Sequence, residues 1–287
     1  MISIIGMCIV VFSVFGGYMM EGGHIEVLLQ PIEFLIILGA GIGSLLISSP
    51  IPLLKMIMTH LVGVIKGKNP SKQEYIDLLC LLFDLTKTAK ANPLSIEGHV
   101  ENPENSEIFK KYPSVLHNHH AVEFLCDTLK VQLSGSMSPY DLEDLMDADI
   151  TVLHESELRS PGTISKIGDA MPGLGIVAAV LGVVITMGKL SQGKEVIGHS
   201  VAAALVGTFL GILASYGFLQ PLAGKIEFNL AMEGKAMTVI KACLVAFAKN
   251  CGPKVCVEFA RRSIPLDVRP SFQDVDTATS GGGKKAA

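Results

Sequence analysis

The chain has 287 residues, of which 49% are hydrophobic and only 17% are charged. A soluble domain normally carries charges at about a quarter of its positions, so the composition favours a membrane protein. A net charge of −4 gives no electrostatic indication of nucleic-acid binding.

Four stretches without charged residues are each long enough to cross a bilayer as a helix. They are residues 2–19, 34–54, 170–188 and 200–224. A helix needs about 20 residues to span the hydrocarbon core, so the sequence predicts four transmembrane helices. The first stretch lacks the basic flank of a signal peptide, and we expect it to remain as a span.

The positions of Lys and Arg predict which segments are cytoplasmic. Residues 55–168 contain 11 of the 23 basic residues and 225–287 contain 10, whereas the loop 21–33 contains none. The positive-inside rule therefore places both basic segments and both termini in the cytoplasm. The predicted order is transmembrane helices 1 and 2 (1–54), a cytoplasmic domain (55–168), a transmembrane hairpin (169–224), and a cytoplasmic helix and tail (225–287) that ends in GGGKKAA.

The cytoplasmic segment has helical periodicity. Residues 73–91 place apolar side chains three and four positions apart and end at Asn92-Pro93. Residues 117–133 and 139–168 are two further helical candidates. No strand alternation is present, so we predict an all-α membrane protein with a helical cytoplasmic domain between helices 2 and 3.

Motifs of enzymes and metal sites are absent from the sequence. It contains no GxSxG, Walker A or HExxH pattern, and its six cysteines form no CxxC pair. The tract His117–His120 is interpreted as a helix start, because no second cluster completes a metal site. We expect no catalytic group, metal or cofactor.

The four predicted spans contain no ionisable residue in their central parts. A charged group inside a membrane is costly and is therefore usually functional. Asp169, at the inner start of the third span, is the nearest candidate, although it could equally be a helix N-terminal charge. If the protein handles ions, a partner must supply the carboxylate.

Small residues recur four positions apart on the predicted spans, a spacing that allows helices to approach closely. They are Gly39 and Gly43 in the second span, Ala178 and Gly182 in the third, and Ala203, Gly207 and Gly211 in the fourth. This spacing fits packing within the subunit and also contact with another subunit. Thr208 makes the last of these faces too polar for lipid alone.

Each of the last two spans contains one proline, Pro172 and Pro221. In a helical hairpin we expect these prolines at the same depth and close to the same face. Proline breaks a backbone hydrogen bond of its helix, so the pair predicts a hinge near the cytoplasmic side. A purely structural kink is the alternative.

Several motifs together resemble the MotA family of flagellar stator subunits over nearly the whole chain. They are FGGY at 15–18, GAGIGS at 39–44, ENP at 101–103, SEIF at 106–109, HESE at 154–157, GDAMPGLGIVAA at 168–179, ALVGTFLG at 204–211 followed by Pro221, and RPSF at 269–272.

The resemblance implies a ring, taken to be a pentamer, around two copies of a MotB-like partner in the bacterial inner membrane. The partner's transmembrane Asp would supply the missing carboxylate, and ion flow would turn the ring against the rotor protein FliG. Pro172 and Pro221 match the family's prolines tied to torque. Glu97 matches its rotor-contacting Glu, but the corresponding Arg position is Ala89, beside Lys90 and near Lys87.

The resemblance also suggests which ion is carried. Sodium-driven relatives have Thr at the positions of Ala179 and Gly207, the latter next to Thr208. Hydroxyl oxygens suit a dehydrated sodium ion, so this chain is expected to carry protons. Two alternatives remain: an ExbB/TolQ-like energiser, which has three spans, and a secondary transporter, for which inverted repeats and intramembrane charges are missing.

Overall fold

The computed structural model describes residues 2–66, 70–135, 137–188, 191 and 193–280. Within these ranges the regular elements are helical and no strand occurs, which confirms the all-α prediction. The helices are α1 Ile2–Met20, α2 Ile25–Leu28, α3 Pro31–Ser48, α4 Ile51–Lys66, α5 Lys72–Ala91, α6 Glu97–Glu101, α7 Pro113–Leu116, α8 His119–Leu133, α9 Pro139–Met187, α10 Lys194–Ile212, a π-helical turn Leu213–Leu219, α11 Gln220–Ala248, α12 Pro253–Arg262 and α13 Phe272–Ser280. The predicted GGGKKAA tail lies outside the described residues.

Among the described residues, four helices are long and apolar enough to span a membrane, as predicted, but their bounds differ from the uncharged stretches. The second predicted span, 34–54, is displaced, because α3 begins at Pro31 and ends at Ser48. Pro50 has no backbone N–H and disfavours a helical conformation of the residue before it, and Ser49 is accordingly extended, which ends the helix. A separate short helix, α4, follows from Ile51.

The third and fourth spans are parts of longer helical segments. α9 is one helix of 49 residues that contains Pro161 and Pro172 in its interior. The predicted domain boundary between residues 168 and 169 is therefore not a helix end. After α10, the π-helical turn leads directly into α11, so the chain stays helical from Lys194 to Ala248.

The chain divides into two compact units, each containing two separate segments. Unit 1 comprises Met1–Lys68 and Glu157–Asn229, and unit 2 comprises Asn69–Ser156 and Leu230–Ala287. The predicted membrane topology of the segments remains a prediction.

The core of unit 1 joins α3, α9 and α10. Ile37, Met171, Ala178, Val206 and Leu210 are buried together there. Helix α1 has no buried residue in the described part of the chain, and it contacts this core at its edge. One such contact is an edge-to-face pair of Phe15 and Phe209, with ring centroids 6.5 Å apart.

The core of unit 2 surrounds α5. Ser71 starts this helix by accepting a hydrogen bond from the Glu74 amide at 3.3 Å, and its buried face includes Leu79, Leu82 and Leu85. Helix α8 begins at His119, with Asn118 accepting from the Ala121 amide at 3.1 Å. The HNHH tract is therefore a helix start, as predicted.

The C-terminal helices α12 and α13 pack against α5. Lys72 of α5 forms an ion pair with Asp274 of α13, with the charged atoms 2.8 Å apart. Within α12, Glu258 accepts hydrogen bonds from Arg261 and Arg262, each at 2.7 Å. The bond from Arg261 is the main cause that lowers the pKa of Glu258 to about 2. Helix α5 is therefore held in unit 2 by its packing against α12 and α13 and by the ion pair of Lys72.

Candidate channel hairpin and rotor-contact surface

Helices α9 and α10 approach each other backbone to backbone along a line of small residues, here called the seam. A Cβ atom added to Gly175 would lie 2.7 Å from the Gly207 carbonyl oxygen. A Cβ added to Gly211 would lie 2.5 Å from the Met171 carbonyl oxygen. Backbone atoms cannot move aside as a flexible side chain can, so these glycines fix the distance between the two helices.

The seam continues along both helices toward the end of α9 and the start of α10. A Cβ on Gly182 would lie 2.7 Å from the Cβ of Ala204. Ala204 is buried, whereas Ala203, the predicted packing residue, is only half-buried. The facing residue is therefore displaced by one position from the predicted pattern.

On α3, the close approach occurs at Gly41, where an added Cβ would collide with the Met171 side chain. For Gly39 and Gly43, no described atom outside their own helical backbone lies within 4 Å of the Cβ position. Packing within the subunit, which was expected for some of the small residues, therefore applies to those of α9 and α10 and not to Gly39 and Gly43. Contact of Gly39 and Gly43 with another subunit remains a prediction.

Ala179 and Gly207, the two positions at which the resemblance suggested a proton rather than a sodium ion, meet in the seam. A Cβ on Gly207 would lie 3.0 Å from the Ala178 Cβ and 3.3 Å from the Ala179 amide nitrogen. Thr208 is half-buried, with its Cα 3.2 Å from the Cβ position of Gly175. A threonine at Gly207 would therefore need α9 to shift.

Pro172 and Pro221 do not lie at the same depth, and the prediction that they do is wrong. The seam pairs Met171 with Gly211, and Gly168 with Leu219. Pro172 is therefore level with the residues between Gly211 and Leu219, whereas Pro221 lies beyond Leu219, toward the end of the hairpin that the predicted topology places inside. Pro172 is four residues from Gly168 and Pro221 is two beyond Leu219, so the offset is about one and a half helical turns, or roughly 8 Å. Pro172 is half-buried and Pro221 is exposed.

A π-helical turn occupies Leu213–Leu219, directly before Gln220 and Pro221. Pro221 has no N–H to donate to the carbonyl of Gly217, and its ring would crowd that carbonyl in an α-helix. A wider turn separates these groups, and π-helical turns are frequent at functional sites. The backbone irregularity predicted at Pro221 therefore extends over the seven residues of this turn.

Sequence reasoning missed a polar cluster at the end of the hairpin away from the connection of α9 and α10, which is the inner end in the predicted topology. The Gln220 side chain hydrogen-bonds to Ser165 and to Asp169, both on α9. A polar residue next to Pro221 in an otherwise apolar run was the signal that could have indicated it. Asp169 lies in the interior of α9, so its alternative interpretation as a helix N-terminal charge is wrong.

The predicted rotor-contact residues lie on α5 and α6 in unit 2. Ala89, at the position of the family's Arg, is 3% exposed and belongs to the core. Lys87, Lys90 and Glu97 are exposed. The Lys90 ammonium donates to the Cys251 carbonyl oxygen at 3.3 Å. Ala89 therefore offers no surface for a contact, whereas Lys87 and Lys90 carry exposed positive charges near it.

Comparison with known proteins gives concordant similarities. Residues 4–93 match the Motility protein A N-terminal family, and residues 117–237 match the MotA/TolQ/ExbB proton channel family. The chain is 38% identical to Motility protein A of Escherichia coli over 278 residues, which is 96% of this chain and 94% of that protein.

Two solved structures share the fold. The MotAB structure of C. jejuni superposes with a TM-score of 0.76 at 22% identity, covering 94% of this chain and 98% of the other. The flagellar MotAB stator complex of Bacillus subtilis superposes with a TM-score of 0.72 at 22% identity, covering 93% and 96%.

Proposed function

This chain belongs to the MotA/TolQ/ExbB proton channel family, and we propose that it couples proton flow to rotation as the channel subunit of a flagellar stator. The observation that carries the proposal is the seam, a rigid backbone contact that ends at two prolines and a π-helical turn. A stiff hairpin with one irregular end is suited to bend at that end. A match to the Motility protein A N-terminal family favours the stator over an ExbB/TolQ-like energiser.

The subunit requires partners to form a channel. Its predicted spans carry no central ionisable residue, so the ion-binding carboxylate would come from the transmembrane Asp of a MotB-like subunit. The apolar helix α1 and the open faces of Gly39 and Gly43 leave surfaces for neighbouring copies or lipid. These surfaces support assembly into a ring, which we take to be a pentamer. By the family resemblance the ring lies in the bacterial inner membrane, and by the distribution of Lys and Arg both termini are cytoplasmic.

The cytoplasmic charges support contact with the rotor protein FliG. Lys90 and Glu97 are exposed at neighbouring ends of α5 and α6, so complementary charges on the rotor could pair with them. Exposed ion pairs are individually weak, about 0–1 kcal/mol. Such contacts can form and break repeatedly as the ring turns.

Charge reversal at Lys90 is expected to weaken coupling to the rotor without affecting proton flow. Lys90→Glu places a negative charge where the rotor should present an acidic partner, so swimming speed should fall several-fold. The measurement is swimming speed in a strain lacking its own stator. Lys235→Glu, an exposed lysine on α11, is the control. Equal speeds of the two variants would exclude Lys90, and the same assay of Lys87→Glu would then test the other flanking lysine.

Rotation is expected to depend on the proton-motive force, because Ala179 and Gly207 offer no side-chain oxygen to a sodium ion. Each charge crossing 100 mV releases about 2.3 kcal/mol, several times thermal energy. The chain is expressed with its MotB-like partner in a stator-deficient strain, and motor speed is recorded during titration with an uncoupler and during sodium removal. Motility that persisted with uncoupler and stopped without sodium would contradict the proposal.

A further inference from the structure

We propose that Gln220 is a positioning residue that holds the inner end of the channel hairpin in one hinge state. It does so through Ser165 and Asp169, and the three residues are here called the latch. The inference rests on the proposed function, because it concerns how the same hairpin moves.

The latch uses both ends of the Gln220 amide. Its Nε2 donates to the Asp169 carboxylate at 2.7 Å and to the Ser165 carbonyl oxygen at 3.1 Å. Its Oε1 accepts from the Ser165 hydroxyl at 2.9 Å. One side chain therefore ties the end of the π-helical turn to two successive turns of α9.

Gly168 makes this arrangement possible. A Cβ at Gly168 would lie 3.1 Å from Gln220 Nε2 and 3.3 Å from the Leu219 Cβ. A larger residue would push the amide away from Ser165 and Asp169. The glycine thus allows the helices to stay close at the level where the latch forms.

The latch lies where both helices have lost a backbone hydrogen bond. Pro172 cannot donate to the Gly168 carbonyl, and Pro221 cannot donate to the Gly217 carbonyl. Asp169 directly follows Gly168 in the chain, and Gln220 lies three residues after Gly217. A bend at either proline changes the separation of Asp169 and Gln220. Lengthening their hydrogen bond by about 1 Å is enough to break it.

Because the latch residues are not fully buried, a positioning role can be tested separately from a structural one. Asp169 is exposed and Gln220 and Ser165 are half-buried, so losing their bonds leaves neither a cavity nor a fully buried unpaired group. Substitutions here should leave folding and assembly intact. Their effect should instead appear in the preference between hinge states.

The test exchanges donor and acceptor in the hydrogen bond between Gln220 and Asp169. Gln220→Glu places two carboxylates against each other, which should repel and open the latch. In the double variant Gln220→Glu with Asp169→Asn, the new amide donates to the new carboxylate and the bond is restored in the opposite direction. Asp169→Asn alone keeps a carbonyl oxygen as acceptor. Gln273→Glu, at an exposed glutamine of α13, is the matched control.

Motor speed at low load is measured for each variant with the MotB-like partner, together with the amount and size of the detergent-extracted complex. Gln220→Glu removes both bonds that the Gln220 amide donates, to Asp169 and to the Ser165 carbonyl oxygen. It should reduce the speed at least about tenfold, as expected for the loss of a hydrogen bond to a charged group, with assembly unchanged. The double variant restores only the bond between residues 169 and 220, and it should recover most of that loss.

Two results would contradict the proposed positioning role of Gln220. One is a Gln220→Glu motor that turns as fast as the Gln273→Glu control. The other is a double variant no faster than Gln220→Glu. Neither result affects the proposed function as long as the unmodified chain drives rotation. If the unmodified chain and the control both fail to support rotation and proton flux, the proposed function itself is wrong.

Discussion

Replacing Gly211 by alanine is expected to abolish rotation, because the added methyl group has no space in the seam. Its Cβ would lie 2.5 Å from the Met171 carbonyl oxygen and 3.0 Å from the Gly175 Cα. Overpacking of a close contact costs about 1–3 kcal/mol when side chains can adjust. Here the opposing atoms are backbone, so α9 and α10 must move apart along their length.

The measurement is motor rotation in a stator-deficient strain, with the membrane content of the protein determined in parallel. Gly162→Ala in α9 is a matched control, since no described atom beyond its local helix backbone lies within 4 Å of that Cβ position. This control should rotate normally. Wild-type speed in the Gly211→Ala motor would show that the hairpin does not depend on backbone contact.

Replacing Pro172 or Pro221 by alanine is expected to remove torque while the complex still assembles. Alanine is favoured over proline in a helix interior by about 3 kcal/mol. At residue 221 it would also supply the N–H that lets the Gly217 carbonyl join a regular α-helix. The substitution therefore straightens the inner end of the hairpin and favours one hinge state.

Torque is measured from tethered cells, and assembly from the size of the complex extracted with the MotB-like partner. Pro161→Ala, which changes another proline inside α9, is the comparator and should retain rotation. A complex that fails to form would assign the two prolines a structural role. Full torque in both variants would remove the hinge from the mechanism.

The element types could be predicted from the sequence because they depend on local patterns. The uncharged run in α1 and the apolar spacing in α5 each fix a helix without reference to any other part of the chain. The paired prolines likewise indicated an irregular backbone at the inner end. Local chemistry was sufficient for these conclusions.

The contacts between helices could not be predicted, because periodicity identifies a face but not its axial register against a neighbour. The spacing of Gly39 and Gly43 resembles that of Gly207 and Gly211, yet only the latter pair meets another helix of the described chain. The relative level of Pro172 and Pro221 depended on the same unknown register.

The rotor-contact surface shows a further limit. Matching residues along a family pattern placed an Arg position on Ala89, and only the packing around α5 shows that this position is buried. A one-residue step along a helix turns a side chain by about 100°, since a turn contains 3.6 residues. A register error of one residue therefore exchanges a surface position for a core position.

The π-helical turn has a consequence for how this hairpin can change over evolution. Such a turn contains one backbone residue more than the α-helical turn it replaces. Deleting a single residue between Leu213 and Leu219 would remove that extra residue and let the segment close as an α-helix, so the side chains on either side, Gln220 included, would keep their faces. The same deletion in a regular α-helix would rotate everything downstream by about 100°. The π-helical turn is therefore a place where the hairpin can change its length by one residue without moving the helix face that carries Gln220.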